Sequence, residues 1–187
     1  TLGLAAVALS LGFAGATQAQ QLPQGYFYLT TNWMEGRGMT LEGNDGRGGA
    51  FMTAKTNASG QLWKAVQAPD GYIYLTTMFK ERQGLVLEGG DGNGSSILAP
   101  KGYYSGQMWK VVPAGNGYFY LTTAFKERQG LVLEGWDGTR PAHMARKGNF
   151  TGQLWKAVPH NPQPAARPQY RPVRTDCSAG FGICNRR

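Results

Sequence analysis

Apolar and polar positions alternate along this chain in short runs separated by turns, most cleanly between residues 71 and 112. Tyr72 to Thr77 sets Ile73 and Leu75 on one face against Tyr72, Tyr74 and Thr76 on the other. Leu85 with Leu87, Ile97 with Ala99, and Met108 to Val112 give three further runs with the period of two that a half-buried strand requires. Glu81-Arg82-Gln83-Gly84 and Gly90-Asp91-Gly92 supply the turns between them, glycine being free to take positive φ. No window carries a helical period. Four strands are expected in this stretch.

The stretch is one of three copies. Gly25-Tyr26, Gly71-Tyr72 and Gly117-Tyr118 open units offset by 46 residues, and the same offset relates Gln61, Gln107 and Gln153, and Trp63, Trp109 and Trp155. Phe79 to Gly89 recurs verbatim as Phe125 to Gly135, whereas the first copy reads Trp33-Met34-Glu35-Gly36-Arg37-Gly38 at the matching place. Four strands in each unit predict twelve. A unit of this size cannot bury its own apolar face, so the three must share a core. Propeller blades also have four strands, but a propeller needs about four blades or more. The expectation is an all-β fold, a three-fold barrel capped by hairpins: a β-trefoil of three pseudo-symmetric repeats.

Outside the repeats, Leu2 to Ala16 is apolar without a charge, and Thr17-Gln18-Ala19 reads as a cleavage site. Residues 1–19 are therefore expected to be the remainder of a secretory signal peptide, and the protein is expected to be secreted or periplasmic. The run is shorter than the ~20 apolar residues of a membrane span, and no later stretch is long enough for one. The net charge is +8, of which the five arginines after Pro159, set against Asp176, contribute +4. A mildly basic domain with a basic tail lacks the concentrated stripe of a nucleic-acid binder. Residues 159–187 are rich in Pro, Gln and Arg and are expected to be a disordered tail. Its Cys177 and Cys184 are expected either to close a small disulfide loop or to pair with another chain. The tail is also where a protein partner or an anionic envelope polymer would bind.

With the repeat in view, Gln61-Leu62-Trp63, Gln107-Met108-Trp109 and Gln153-Leu154-Trp155 resemble the Gln-x-Trp signature of ricin-type β-trefoil lectins. Gly84 to Gly92 is similar to that family's Gly-x-x-Leu-Asp-x-x-Asp-Gly stretch, and the resemblance covers residues 25–158. It implies a glycan or polysaccharide partner, a site without catalysis, and no cofactor. It also implies that the acid after the leucine accepts bonds from two sugar hydroxyls, that the Gln orients this acid, and that a nearby ring stacks on the sugar. A carboxylate offers two acceptor oxygens for charge-assisted bonds to vicinal hydroxyls.

Carried onto this chain, the acids are Glu42, Glu88 and Glu134 and the orienting amides are Gln61, Gln107 and Gln153. The chain departs from the pattern in having Glu for Asp, and Ala54, Pro100 and Arg146 where the stacking ring falls. Substitute rings stand at Tyr103 and Tyr104 in the second unit and at Trp136 and Phe150 in the third, with none in the first. The three Trp are expected in the core, and Trp136 is the candidate for an exposed ring. Lys80, Glu81 and Arg82, with Lys126, Glu127 and Arg128, are expected to form solvated charged hairpins. A solvated strand-end carboxylate explains each Glu as readily as a sugar ligand does. An interaction or structural trefoil that has lost sugar binding, such as an accessory subunit of a toxin or hydrolase, is thus the rival to the lectin. Only His143 and His160 are present, so no histidine recurs with the repeat, and no motif marks an enzyme.

Overall fold

The computed structural model describes residues 22–43, 48–90 and 94–161. The signal-like segment 1–19, most of the tail and the Cys177 and Cys184 pair lie outside the described residues. The first unit contains β1 (Phe27–Thr31), α1 (Asn32–Glu35), β2 (Met39–Gly43), β3 (Ala50–Ala54) and β4 (Trp63–Gln67). The second contains β5 (Ile73–Thr77), α2 (Met78–Glu81), β6 (Leu85–Glu88), β7 (Ile97–Pro100) and β8 (Trp109–Gly115). The third contains β9 (Tyr118–Thr123), α3 (Ala124–Glu127), β10 (Leu131–Glu134), β11 (His143–Arg146) and β12 (Trp155–Pro159). No described helix is long and apolar enough to cross a membrane.

Six strands close a barrel in the order β1-β12-β9-β8-β5-β4, and β2-β3, β6-β7 and β10-β11 form three separate hairpins. The pairing inside the barrel is unequal. Within a unit the first and last strands share one register pair, Phe27 with Trp63, Ile73 with Trp109 and Phe119 with Trp155. The long ladders run between units: β4 on β5, β8 on β9, and β12 back onto β1. Each unit therefore finds the backbone partners of its barrel strands mainly in its neighbours, which a lone unit would leave exposed.

The core is three-fold in composition. Trp63, Trp109, Trp155, Leu29, Leu75, Leu121, Leu41, Leu87 and Leu133 are all fully buried. Near the middle of the molecule Ala50 N donates to Ser96 O, Ser96 N to Ala142 O and Ala142 N to Ala50 O, at 2.7–2.8 Å, a closed ring of backbone bonds with one member from each unit. Packing is tight enough to dictate glycine beside it. A Cβ on Gly135 would lie 3.0 Å from the Trp155 ring and 3.1 Å from Thr31, and Gly43 and Gly89 are similarly confined. The three positions share this demand because each lies where units meet.

The three one-turn helices were not visible as periodicity, because four residues are too few to show a 3.6-residue repeat. Their cause is a recurrent Thr-Thr pair. Thr31, Thr77 and Thr123 cap them, each hydroxyl accepting from the backbone N–H three residues on at 3.2–3.3 Å. The preceding Thr30, Thr76 and Thr122 donate to the carbonyls of Met39, Leu85 and Leu131 at 2.7 Å, tying each barrel strand to its hairpin.

These helices correct the expectation of solvated charged hairpins. Lys80 and Lys126 are buried, each ammonium 4.8 Å from the ring centre of the preceding Phe. Glu81 accepts from Lys64 Nζ at 2.6 Å and Tyr26 OH at 2.7 Å, both in the first unit. Glu35 accepts from Lys156 Nζ at 2.6 Å and Tyr118 OH at 2.8 Å, both in the third. Glu127 pairs with Lys110 of the second. Each helix thus carries a carboxylate to the neighbouring unit, beside the ladder that joins the two. Arg82 and Arg128 alone of the two basic pairs remain exposed, as expected.

The bonds from Lys64 and then Tyr26 hold the Glu81 carboxyl below the ordinary carboxylate range, and Lys156 and Tyr118 do the same for Glu35, against a smaller opposing effect of burial. A depressed carboxylate contributes stability that is complete above its unfolded-state pKa and is lost as pH falls through the folded-state value. The partner Lys64, Lys110 and Lys156 are raised by the same bonds, so the contribution persists on the alkaline side until pH climbs through the raised lysine values. Glu81→Gln is expected to melt below the parent protein at pH 7, with the gap in melting temperature closing as pH falls below the ordinary carboxylate range, as measured by circular dichroism. A gap independent of pH would show that the ion pair contributes nothing.

Candidate functional site

Each unit docks a Leu-Glu-Gly strip against a Gly-Gln-x-Trp strip through three bonds. In the second unit Trp109 Nε1 donates to the Leu87 carbonyl at 2.8 Å, Gln107 Nε2 to Glu88 Oε2 at 2.8 Å, and Gly89 N to the Gly106 carbonyl at 2.9 Å. In the third, Trp155 reaches Leu133 at 2.8 Å, Gln153 reaches Glu134 at 2.9 Å, and Gly135 reaches Gly152 at 2.9 Å. In the first, Trp63 reaches Leu41 at 2.8 Å, Gln61 reaches Glu42 at 3.3 Å, and Gly43 reaches Gly60 at 2.9 Å. The indole anchors the strip from inside the core and the amide then fixes the carboxylate one residue further on.

The glutamine is itself fully determined. Gln107 is completely buried, its Nε2 donating also to the Pro100 carbonyl at 2.9 Å and its Oε1 accepting from Gly102 N at 2.8 Å. Gln153 repeats this with the Arg146 carbonyl and Gly148 N, and Gln61 with the Ala54 carbonyl and Thr56 N. One end must donate twice and the other accept, so only an amide fits. Ala54, Pro100 and Arg146 stand where the lectin family has its stacking ring, and here they give their backbone carbonyls to the glutamine.

Glu42, Glu88 and Glu134 are half-buried at the ends of β2, β6 and β10, with Oε2 engaged. Their Oε1 atoms have no hydrogen-bond partner among the described residues. The glycine before each Gln lies against the same strip, most closely in the third unit, where a Cβ on Gly152 would come within 2.8 Å of the Gly135 carbonyl. A Cβ on Gly60 would lie 3.4 Å from Glu42 Oε1, on Gly106 3.6 Å from Glu88 Cγ, and on Gly152 3.6 Å from Glu134 Cγ. These three glycines are the site residues that sequence reasoning missed, although their recurrence immediately before the Gln was there to be read.

The units diverge in what surrounds the carboxylate. Tyr104 and Phe150 are largely exposed, and each ring lies on a glycine: a Cβ on Gly102 would come within 2.4 Å of the Tyr104 ring, and one on Gly148 within 2.6 Å of Phe150. Each of these rings is thereby held outward, two residues before the glycine that lies against its Glu. The first unit has Thr56 and Ala58 at these places and no ring. There Thr53 also donates to Glu42 Oε2 at 2.8 Å, where the other units have Ala99 and Ala145. Tyr103 is the most exposed ring among the described residues, with 86% of its surface accessible, and it lies with Ala68, Tyr74 and Lys101.

Trp136 is not the exposed ring expected of it. It is half-buried, stacked on His143 at 6.2 Å, edge-on to Trp33 at 6.4 Å, with the Arg140 guanidinium 4.0 Å from its centre. Its role is to pack the β10–β11 loop against α1 of the first unit. Among the described residues no cluster of three His, Cys, Asp or Glu side chains could hold a metal ion.

Removing the amide leaves a half-buried carboxylate oxygen, a carbonyl and an N–H without that partner, and a buried group left unpaired costs about 1–3 kcal/mol, less where water replaces the partner. Gln107→Ala is expected to lose roughly 2–4 kcal/mol by urea denaturation. Glu88→Gln retains an acceptor at the same place and is expected to lose less than half as much. Equal losses would show that the amide does not organise the site.

No family model matches the chain, and no curated protein is significantly similar to it in sequence. Solved structures are similar in fold. A designed three-fold symmetric protein, ThreeFoil, matches at 19% identity over 73% of this chain and 100% of its own, with a TM-score of 0.61. SeviL, solved bound to the asialo-GM1 saccharide, matches at 15% identity over 73% and 98%, with a TM-score of 0.56. The BEL beta-trefoil matches at 14% identity over 75% and 97%, with a TM-score of 0.59. At these identities the likeness is one of fold alone, and the fold that these neighbours share is the β-trefoil.

Proposed function

We propose that this protein is an exported, secreted or periplasmic, non-catalytic carbohydrate-binding module of the ricin type, with working sites at Glu88 and Glu134. The observation that carries the reading is the state of the two carboxylates. Each has one oxygen held by a buried amide and the other without a hydrogen-bond partner among the described residues, with an exposed ring on the loop that leads to the Gln. A fixed, half-solvated carboxylate accepts bonds from sugar hydroxyls without first paying to be ordered, and a ring held by its glycine offers a face to the apolar side of the pyranose. The fold's likeness to a saccharide-bound structure supports the reading. Two weak sites on one rigid body would gain strength on a polyvalent glycan by avidity.

The rival reading, an interaction module that docks a protein or an anionic polymer, finds its support in the first unit. There the ring is missing and Thr53 shares the Glu42 oxygen with Gln61. That unit is proposed to be structural.

A glycan array of the full chain, with Glu42→Gln, Glu88→Gln and Glu134→Gln variants, tests the assignment. Binding is expected to fall at least tenfold in the Glu88→Gln, Glu134→Gln double variant and to be retained in Glu42→Gln, all variants showing parental circular dichroism. A blank array for the parent protein, or a signal indifferent to both Glu88 and Glu134, would sink the lectin reading in favour of the rival.

A further inference from the structure

The three repeats offer an internal comparison at the junction where one unit's last strand hands over to the next. Tyr28, Tyr74 and Tyr120 occupy equivalent places, and each hydroxyl donates to a loop carbonyl: Thr56 at 3.0 Å, Gly102 at 3.0 Å and Gly148 at 3.2 Å. Over each ring lies a lysine, Lys55 at 4.2 Å, Lys101 at 4.6 Å and Lys147 at 4.4 Å from the ring centre. Beside Tyr28 the space is filled by His160, which falls in the stretch read as tail. It packs edge-on with ring centres 5.6 Å apart, its Nδ1 3.3 Å from the Tyr28 hydroxyl, and its backbone N–H bonded to the Tyr26 carbonyl at 2.9 Å. At the place of His160 the other units have Ala68 and Ala114.

Where Ala68 replaces the imidazole, the structure has a cavity of about 330 Å³ lined by Ala68, Pro69, Tyr74, Lys101, Gly102 and Tyr103 among others. Its chemistry can be read from these groups and from the ring that fills the equivalent space. The Tyr74 hydroxyl donates to the Gly102 carbonyl and so keeps lone pairs for a donor. Lys101 lies exposed over the Tyr74 ring with no carboxylate partner among the described residues, where an anion could reach it. Tyr103, the most exposed ring of the described residues, stands on the rim.

From this comparison we infer that the Ala68–Tyr74–Lys101–Tyr103 cavity is a binding site for an acidic monosaccharide ring, distinct from the Glu88 site. A ring hydroxyl donates to Tyr74 where His160 meets Tyr28, the carboxylate pairs with Lys101, and Tyr103 covers the apolar face of the sugar. A neutral sugar would leave the ammonium unpaired and an aliphatic acid would leave the cavity empty, so neither matches the set. The site adjoins the Glu88 site through Gly102, whose N–H Gln107 holds and whose carbonyl Tyr74 holds, but the groups that would meet the ligand are different ones.

The test is a titration of the isotopically labelled full chain with sodium glucuronate, glucose and acetate, followed by NMR. Glucuronate is expected to shift the Ala68, Tyr74, Lys101 and Tyr103 signals and to bind at least tenfold more tightly than glucose or acetate. Lys101→Gln is expected to erase that preference. Ala68→His, which copies the imidazole that fills the space beside Tyr28, is expected to abolish the shifts with its melting temperature kept near the parent's, and Glu88→Gln is expected to leave them intact. Glucuronate shifts that persist in both Lys101→Gln and Ala68→His, or that disappear in Glu88→Gln, would overturn the assignment. So would their absence at tens of millimolar ligand, the limit for a shallow sugar site of roughly millimolar affinity.

Discussion

Everything in this molecule depends on where the long β-ladders run. Each unit's barrel strands meet once within the unit and along their length only across unit boundaries. A single 46-residue repeat therefore has neither a core nor a complete set of backbone partners. Closure of β12 onto β1 completes the set, and it brings the end of the domain back to its beginning. The ring of backbone bonds through Ala50, Ser96 and Ala142 and the carboxylates of α1, α2 and α3 reinforce the same three boundaries. Stability and symmetry thus share one physical origin, the mutual satisfaction of groups that no repeat can satisfy alone.

The Gln-x-Trp motif translates that architecture into a fixed carboxylate geometry at the surface. The indole sits wholly inside the core and its single donor holds a leucine carbonyl. The amide two residues earlier holds the next side chain along, a carboxylate. The core therefore aims the glutamate, and any loosening of the Trp packing would be felt at the site surface. Glutamate in place of the shorter aspartate still meets the amide at 2.8–2.9 Å in the second and third units, so the longer side chain is accommodated where the rings are also present. The first unit has the longest such bond, a competing threonine and no ring.

Duplication followed by divergence has left the three boundaries chemically unequal. The same tyrosine–lysine pair recurs three times, but one copy is closed by His160 and another stands open beside Ala68. Likewise the loop position held by Trp136 in the third unit is glycine in the second, and the tryptophan there serves packing against Trp33. Differences between repeats are thus more informative about function than what they share, because the shared residues are those the fold itself requires.

The sequence by itself determined the twelve strands, their grouping into three units and the burial of the three recurrent tryptophans. A strict 46-residue recurrence and a period of two are local patterns, and Trp63, Trp109 and Trp155 could be placed inside without coordinates. It also paired the glutamates with the glutamines, through a resemblance carried by the recurring motif. It did not show the one-turn helices, because a single capped turn is too short to have a period, nor the burial of Lys80 and Lys126. Only the tertiary structure decided that Trp136 is packed and not exposed, that Glu35 and Glu81 reach across unit boundaries, and that a cavity opens where Ala68 stands for a histidine. Each of these depends on what lies opposite a residue in space, in the longest cases 55 to 132 positions away along the chain. Periodicity reports which face of an element a residue occupies, and only the packed fold supplies the neighbour that meets it.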